Sequence, residues 1–233
     1  MASVPSSPRS GEADVEQQLQ SIKEAIFLPS ATIQTISDAL TKLMTIYSRA
    51  DELTCLLGGQ RRRAAAEAEL DRSLVLLDLC DAMQHCFADL KATIQEMQLA
   101  GRRGDGAAVQ AMVQSYYVVR AAKKAQRHFR RIGSSKAAAS DMQTCRVLRL
   151  LAEARETAVA ALETATKLLS KQIATLPSSS KWSQLVTRKK SVAYEQEQLQ
   201  VLELDIAGLE HGVELLFRRL IQSRVSLLNT LTL

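Results

Sequence analysis

The sequence predicts an all-α fold, an elongated antiparallel bundle of about five to six long helices. Three observations lead to this prediction. Near the C-terminal end, apolar residues recur at alternating spacings of three and four, which only a helix of 3.6 residues per turn places on one side. Aromatic residues make up 4% of the chain, which is poor material for a sheet. Three of the four prolines fall within the first 29 residues, so most of the chain is free to be helical.

The C-terminal helix is predicted from about Val192 to Leu231, and the other helices must be long to cover it. Phe217, Ile221 and Leu228 widen its apolar stripe to the width that a multi-helix core needs, so we predict that they are part of the core. The stripe itself consists of Leu199, Leu202, Ile206, Leu209, Val213, Leu216, Leu220 and Leu227.

The first helix is predicted from Glu12 to Ile26 and the second from Ala31 to about Leu57. Residues 28–30 separate them, because Pro29 disfavours helix at the residue before it. The paired glycines 58–59 end the second helix. The residues predicted to point inward from these two helices are Val15, Leu19, Ile22, Ile26, Ile33, Ile36, Leu40, Leu43 and Tyr47.

A third helix is predicted from about Arg61 to Ala100, followed by a glycine-rich turn or loop at residues 101–106. Its core face consists of Leu76, Cys80, Met83, Phe87, Leu90, Ile94 and Met97. Six carboxylates fall within about 80° of arc on the opposite side. We call them the acidic stripe: Glu67, Asp71, Asp78, Asp81, Asp89 and Glu96.

The fourth predicted helix, from about Ala107 to Ile132, carries the most distinctive charge pattern. Six cations lie within about 120° of arc on it, and we call them the basic stripe: Arg120, Lys123, Lys124, Arg127, Arg130 and Arg131. From Gly106 to Ser140 there are seven Lys and Arg residues and no Asp or Glu, a local charge of +7. The whole chain carries +5, so the remainder sums to −2.

A fifth helix is predicted from about Ala138 to Leu176. Its inward residues are Met142, Cys145, Leu148, Ala152, Val159, Leu162, Leu169 and Ile173. Residues 177–181 form the clearest break in the chain, a weak linker before the C-terminal helix. We therefore predict a disordered N-terminal tail at residues 1–11 and a single helical-bundle domain over residues 12–233.

The search for catalytic chemistry is negative. No phosphate-cradling, dinucleotide-binding, zinc-protease or nucleophile-elbow motif occurs in the sequence. His85 and Cys86 do not form a zinc site, because adjacent helical residues diverge by about 100°. We predict a protein that is not an enzyme, with no catalytic residue, no cofactor and no metal. The four cysteines have no paired spacing and are predicted to be reduced thiols.

The basic stripe has three interpretations. It could be a solvated face, partly balanced by acidic neighbours such as the acidic stripe. It could dock on an anionic membrane surface, where each cation contributes on the order of 1 kcal/mol. Nucleic acid ranks last, because no nucleic-acid-binding motif accompanies the stripe. The two stripes of opposite charge also permit self-association.

Location in the cell follows from what the sequence lacks. It contains no signal-peptide core and no uncharged apolar run of about 18 residues. The Ser-rich opening is acid-free only as far as Glu12, too short for a plastid transit peptide. We expect an intracellular, cytoplasmic protein, with peripheral membrane association as an alternative, and we expect neither secretion nor plastid targeting.

Four segments resemble a plant-specific family: residues 70–80, residues 119–131, residues 182–190 and above all residues 208–229. The family is the plant domain of unknown function 241, grouped with the bypass proteins of root and shoot development. The resemblance covers nearly the whole chain from about Val15. It implies a helical, non-enzymatic regulator of root and shoot growth, and it supplies no catalytic residues.

Within that most specific segment, Arg218, Arg219 and Arg224 do not fit the core stripe. Two roles are open for them, salt bridges inside the bundle to Glu153 or Glu156, or a partner-docking patch. Taken together, the sequence predicts a regulatory module in plant development that binds a protein partner of unknown identity. The alternative is a peripheral membrane adaptor that docks anionic lipid through the basic stripe.

Overall fold

The computed structural model describes residues 8–54, 60–105, 108, 112, 146–174 and 188–232. These residues form five helices, which confirms the all-α prediction: α1 (Pro8–Phe27), α2 (Ile33–Thr54), α3 (Gln60–Arg102), α4 (Arg146–Ala174) and α5 (Arg188–Thr232). α5 has 45 residues, so it is about 67 Å long.

The helices pack as a bundle in which α5 contacts α2 and α3, and α4 contacts α1, α2 and α3. Lys91 Nζ of α3 lies 3.1 Å from Glu210 Oε2 of α5, and Gln98 donates to Glu203 at 2.9 Å. Residue numbers therefore rise along α3 as they fall along α5, so these two helices are antiparallel.

Other neighbouring pairs in the bundle run parallel. Arg155 Nε of α4 lies 3.2 Å from Glu69 Oε1 of α3, and further along both helices Thr166 contacts Met83. α2 and α5 are also parallel, since a Cβ built on Gly208 would lie 3.5 Å from Ser37 Oγ and one on Gly212 would touch Leu40. The bundle thus combines antiparallel and parallel contacts.

Local chemistry accounts for the helix ends. Thr32 caps the start of α2, because its Oγ1 accepts the backbone N–H of Thr35 at 3.2 Å while Thr35 Oγ1 accepts that of Thr32 at 3.3 Å. Just after the C-terminal end of α3, Gly104 has a φ of 76°, a left-handed conformation that glycine adopts without strain. The Asp105 N–H then bonds the Ala100 carbonyl at 3.0 Å, which closes the helix.

The predicted stripes form the core. Each inward residue predicted for α1, α2 and α3 is buried, and so is the predicted stripe of α5 from Leu199 to Leu227. In α4, Leu148, Leu162, Leu169 and Ile173 are buried as predicted, whereas Ala152 and Val159 are only partly buried. The predicted inward residues at positions 142 and 145 lie outside the described residues.

The prediction that Ile221 and Leu228 belong to the core is wrong. Ile221 is 44% exposed and Leu228 is 46% exposed, whereas Phe217 is partly buried and packs against the core. α5 packs chiefly on α2 and α3, and these two neighbours cover a narrower arc than the apolar residues occupy.

Helix bounds differ from the predictions by a few residues at most ends. α1 begins at Pro8, four residues before the predicted start, and α3 continues through Gly101 and Arg102 before it turns. Residues 1–7 and the predicted linker at 177–181 lie outside the described residues, so the division into tail, linker and single domain stays a prediction.

Candidate functional site

The nine cations predicted for docking divide into two groups. The six of the basic stripe lie outside the described residues, as does most of the predicted fourth helix. Arg218, Arg219 and Arg224 lie on α5, within its last four turns. Docking by any of the nine therefore stays a prediction, and the geometry of the last three can be described.

Those three arginines have different surroundings. Arg218 is exposed and forms an ion pair with Glu214 one turn earlier on the same helix. Arg219 is partly buried and donates to the carbonyl of Tyr47 in α2 at 3.4 Å. Glu153, one of the two acids predicted to pair with these arginines, instead pairs with Lys23 of α1.

Arg224 joins α5 to α3. Its guanidinium donates to Ser73 Oγ at 2.6 Å and to the main-chain carbonyl of Leu70. Ser73 is buried and its hydroxyl also donates to the Leu70 carbonyl, at 2.7 Å. The three groups form a closed set of hydrogen bonds between two helices, so Arg224 has a structural role inside the bundle.

A buried ion pair lies beside this contact. Glu69 of α3 is 3% exposed, and its Oε1 accepts from Arg155 of α4 at 3.2 Å. Its second oxygen, Oε2, is buried without a hydrogen-bond partner. Burial raises the pKa of the Glu69 carboxyl from 4.5 to about 7, and the nearby guanidinium of Arg155 only partly offsets that rise. With Ser73 and Arg224, this pair makes a polar layer between α3, α4 and α5.

The acidic stripe of α3 is exposed as predicted. All six of its carboxylates lie on the solvent side of the helix. Within the part of the chain that the structure describes, only Asp81 has a basic side chain within 4.0 Å, since His85 Nδ1 lies 3.6 Å from its Oδ2. The other five keep their charge facing solvent, along about 43 Å of helix from Glu67 to Glu96.

An exposed apolar strip lies on α5 next to the first half of this stripe. Ile221, Val225 and Leu228 follow one another at helical spacing, and they are 44%, 51% and 46% exposed. Because Arg224 contacts Leu70 and Ser73, the strip lies level with that part of α3, where Leu74 is also exposed. We call this surface the α3–α5 groove: Leu74, Ile221, Val225 and Leu228 with the flanking acids Asp71 and Asp78.

The comparison with protein families decides which family this is. The chain matches the family described as Protein BPS1 over residues 32–193 and again over residues 184–230. The two matches together cover most of the chain, including all of α2 and nearly all of α5. The chain belongs to the BPS1 family. The resemblance to bypass-like plant proteins is thereby confirmed. The comparisons with curated proteins and with solved structures returned no match.

The α3–α5 groove lies inside the part of the chain that matches the BPS1 family. Among the described residues no group of three or more His, Cys, Asp and Glu side chains could hold a metal ion. No helix in the same residues is long and apolar enough to cross a membrane. The groove offers exposed apolar side chains beside Asp71 and Asp78, which form no ion pair within the described residues, and such a surface is suited to binding.

The polar layer was not predicted from the sequence, although the sequence of this BPS1 family member contains a signal for it. Glu69 lies one heptad before the core residue Leu76, and Arg155 lies one heptad after Leu148. A charge of each sign therefore lies one heptad from a predicted core residue, on two different helices. Charged residues are fully buried almost only when paired, so the coincidence indicates an ion pair.

The thiols that can be described are buried in the core. Cys80 and Cys86 of α3 are both free and buried, and burial raises the pKa of the Cys80 thiol to about 12. A thiol with so high a pKa is a poor nucleophile at neutral pH. Cys80 therefore acts as a small core residue, in agreement with its place in the predicted stripe. Cys55 and Cys145 lie outside the described residues.

Proposed function

We propose that this BPS1 family member is a non-enzymatic regulatory module of root and shoot development that acts by binding a partner protein at the α3–α5 groove. The developmental context is what the resemblance to bypass-like plant proteins implies. The observation that supports binding is the row of half-exposed apolar side chains at residues 221, 225 and 228. A helix that is otherwise packed against two neighbours keeps these side chains in water, where their burial by a partner would be favourable.

The groove suits a helical partner. Its apolar residues recur along α5 at the spacing by which one helix packs into the groove between two others. The acids Asp71 and Asp78 flank it on α3, so the partner should present cations beside its apolar contacts. The apolar part of the groove ends further along α3, where Lys91 forms an ion pair with Glu210 of α5.

The experiment is a comparison of two variants in a plant line that lacks the protein. Ile221→Glu/Val225→Glu places charge in the groove and should abolish rescue of root and shoot growth. Leu204→Glu is the matched control, because Leu204 lies on the same helix and is 73% exposed, but stands outside the groove. It should rescue growth as the wild type does.

Proximity labelling with the same three proteins identifies the partner. A protein labelled by wild type and by Leu204→Glu, but not by the groove variant, is the expected outcome. Circular dichroism checks that all three are equally helical. Full rescue by a well-folded groove variant would contradict the proposal.

A second candidate function, a peripheral membrane adaptor, is supported by the local charge of +7 between residues 106 and 140. Its test is co-sedimentation with anionic liposomes at low and physiological salt. Binding that is lost in Arg120→Glu/Lys124→Glu/Arg127→Glu would favour this function. The groove variant should behave as wild type there, because exposed acids flank the groove and repel anionic lipid.

A further inference from the structure

α1 covers one side of the bundle. It packs against α2 and α4, which also contact each other, so it lies over the surface between these two helices. We call that surface the α2–α4 face: the side of Ile33–Thr54 and Arg146–Ala174 that α1 covers. Four apolar residues of α1 are at most 3% exposed and recur at helical spacing, namely Val15, Leu19, Ile22 and Ile26.

Charged side chains fix the position of α1 on the α2–α4 face. Lys23 forms an ion pair with Glu153 of α4. Glu16, two turns earlier, pairs with Arg146 at 2.7 Å and with Arg149 at 3.1 Å. The face therefore selects an amphipathic helix that has an acid seven residues before a base beside its apolar residues. The α1 helix of a second copy meets each of these requirements.

The connection between α1 and α2 is a turn that can open without disturbing either helix. The Ala31 N–H bonds the Leu28 carbonyl at 3.0 Å across this turn. The cap at Thr32 belongs to α2 and does not involve α1. Pro29 favours an extended backbone at the residue before it. Phe27 and Leu28 are 69% and 54% exposed, so the closed turn leaves two large adjacent apolar side chains in water.

We infer that two copies of this chain exchange α1, so that each α1 covers the α2–α4 face of the other copy. The contacts of α1 with that face form again in the pair, because the two faces are identical. Only the connection changes. It opens, and residues 27 and 28 of both copies come together where the two connections cross, so that four exposed apolar side chains become buried.

The inference goes beyond the proposed function, because it concerns a different face from the α3–α5 groove. It also concerns a segment outside the family match, which begins at residue 32, directly after the connection. The exchange is symmetric, so it ends with two copies: each gives one α1 and receives one.

The exchanged pair should respond to salt in a characteristic way. The same ion pairs hold α1 in the single molecule and in the pair, so salt should leave the fraction of dimer nearly unchanged at equilibrium. Salt should speed the exchange, because it weakens the ion pairs that hold α1 in place. Sedimentation velocity at about 50 mM and about 500 mM NaCl, over a series of protein concentrations, measures both effects.

Two charge reversals distinguish exchange from any other dimer. Lys23→Glu and Glu153→Lys each place like charges between α1 and α4 of their own chain. When the two variants are mixed in urea and refolded together, an exchanged heterodimer restores the opposite charges at both of its α1 helices. We expect heterodimers to exceed their statistical share at least about tenfold in native mass spectrometry with one variant labelled with ¹⁵N.

The matched control carries both reversals in one chain. Lys23→Glu/Glu153→Lys restores the ion pair within the molecule and between copies, so it should dimerise as the wild type does. A dimer that forms through another surface would give heterodimers of the single variants in statistical proportion, and that result would overturn the inference.

The length of the connection provides a second test. Deletion of residues 28–31 leaves one residue between the helices, fewer than the two to five that join neighbouring antiparallel helices. α1 can then reach only the face of another copy, so the dimer should increase at least about tenfold relative to monomer. Insertion of Gly-Ser-Gly-Ser after Pro29 should favour the monomer. A deletion variant that stays monomeric would overturn the inference.

The apolar side chains at the connection provide a third test. Phe27→Ser/Leu28→Ser should weaken dimerisation at least about tenfold, because it removes the surface that only the pair buries. Val201→Ser/Leu204→Ser is the matched control, since these side chains of α5 are 49% and 73% exposed and lie away from the connection. It should dimerise as the wild type does. Equal weakening by both variants would overturn the inference, as would a wild type that stays monomeric after refolding at every concentration, and circular dichroism checks that every variant is helical.

Discussion

Arg224 of α5 donates to Ser73 Oγ of α3 at 2.6 Å, and this contact connects the helix with the most specific family segment to the first half of α3. Both residues are polar groups inside an otherwise apolar contact, and the Leu70 carbonyl accepts from each of them. Removing the guanidinium would leave a buried hydroxyl and a carbonyl with fewer partners. The contact therefore holds α3 and α5 in one register.

Arg224→Ala should lower the free energy of unfolding by about 2 kcal/mol, because a hydrogen bond from a charged donor to buried acceptors is lost. Urea unfolding followed by circular dichroism measures the change. Arg218→Ala is the matched control on the same helix. Its exposed ion pair with Glu214 should contribute no more than about 0.5 kcal/mol. Equal losses for both variants would contradict a special role for Arg224.

The buried carboxyl of Glu69 should make stability depend on pH. Its pKa is about 7 in the folded protein against an ordinary value of 4.5, so between these values the folded state binds more protons than the unfolded state. The free energy of unfolding should therefore fall as the pH rises through this range, by about 3 kcal/mol from this group. The charged groups that face it are Arg72, Arg155 and Glu156.

Glu69→Gln isolates that contribution. The variant cannot ionise at this position, so its stability relative to wild type should increase steadily from about pH 5 to about pH 8. Urea unfolding in a series of buffers gives the two curves. Parallel curves over the whole range would show that Glu69 keeps an ordinary pKa in the folded protein.

Arg155→Met should be among the more damaging single changes in the described bundle. It leaves the buried Glu69 carboxyl without its cationic hydrogen-bond donor, so the group must stay protonated in the core, at a cost of about 1–3 kcal/mol. The double variant Glu69→Leu/Arg155→Met removes both charges and should recover most of that loss. A double-mutant cycle measures the coupling, which we expect to exceed about 1 kcal/mol.

The exposed pair Lys167 and Glu163, on the same helix as Arg155, is the control for that cycle. Its coupling should remain below about 0.5 kcal/mol, because water screens both charges. A coupling for the buried pair no larger than this would mean that the two charges do not stabilise each other in the core.

Two glycines of α5 should respond differently to substitution by alanine. At Gly208 a Cβ would lie 3.5 Å from Ser37 Oγ, an ordinary contact, so Gly208→Ala should raise the free energy of unfolding by about 1 kcal/mol. At Gly212 a Cβ would lie 3.2 Å from Leu40 Cβ. Gly212→Ala should therefore give no gain, and Gly212→Val should cost about 1–3 kcal/mol. Thermal unfolding of the three variants orders them, and a stabilising Gly212→Val would contradict the close contact with α2.

Sequence periodicity predicted the core of this bundle better than its edges. The stripe from Leu199 to Leu227 is buried throughout because its centre depends only on helix geometry. Ile221 and Leu228 lie further round the helix, and whether they are covered depends on how many helices surround α5. That number is a property of the tertiary structure, so spacing alone could not supply it.

The candidate site was predicted only in part. The acidic stripe follows from the angular positions of six residues on one helix, and the structure finds each of them exposed. The α3–α5 groove could not be predicted, since it depends on the register that Arg224 and Ser73 set between two helices far apart in sequence. The polar layer needed a pairing between α3 and α4, and periodicity says nothing about which helices are neighbours.

The place of α5 in the chain bears on how the protein folds. This helix supplies the surface against which both α2 and α3 pack. Yet it begins more than a hundred residues after the end of α2 and 86 residues after the end of α3. During synthesis, the apolar side chains of α2 and α3 that pack against α5 stay uncovered until α5 has left the ribosome. Contacts between such distant segments form slowly, and the uncovered apolar surfaces of α2 and α3 are those on which a nascent chain aggregates or recruits a chaperone.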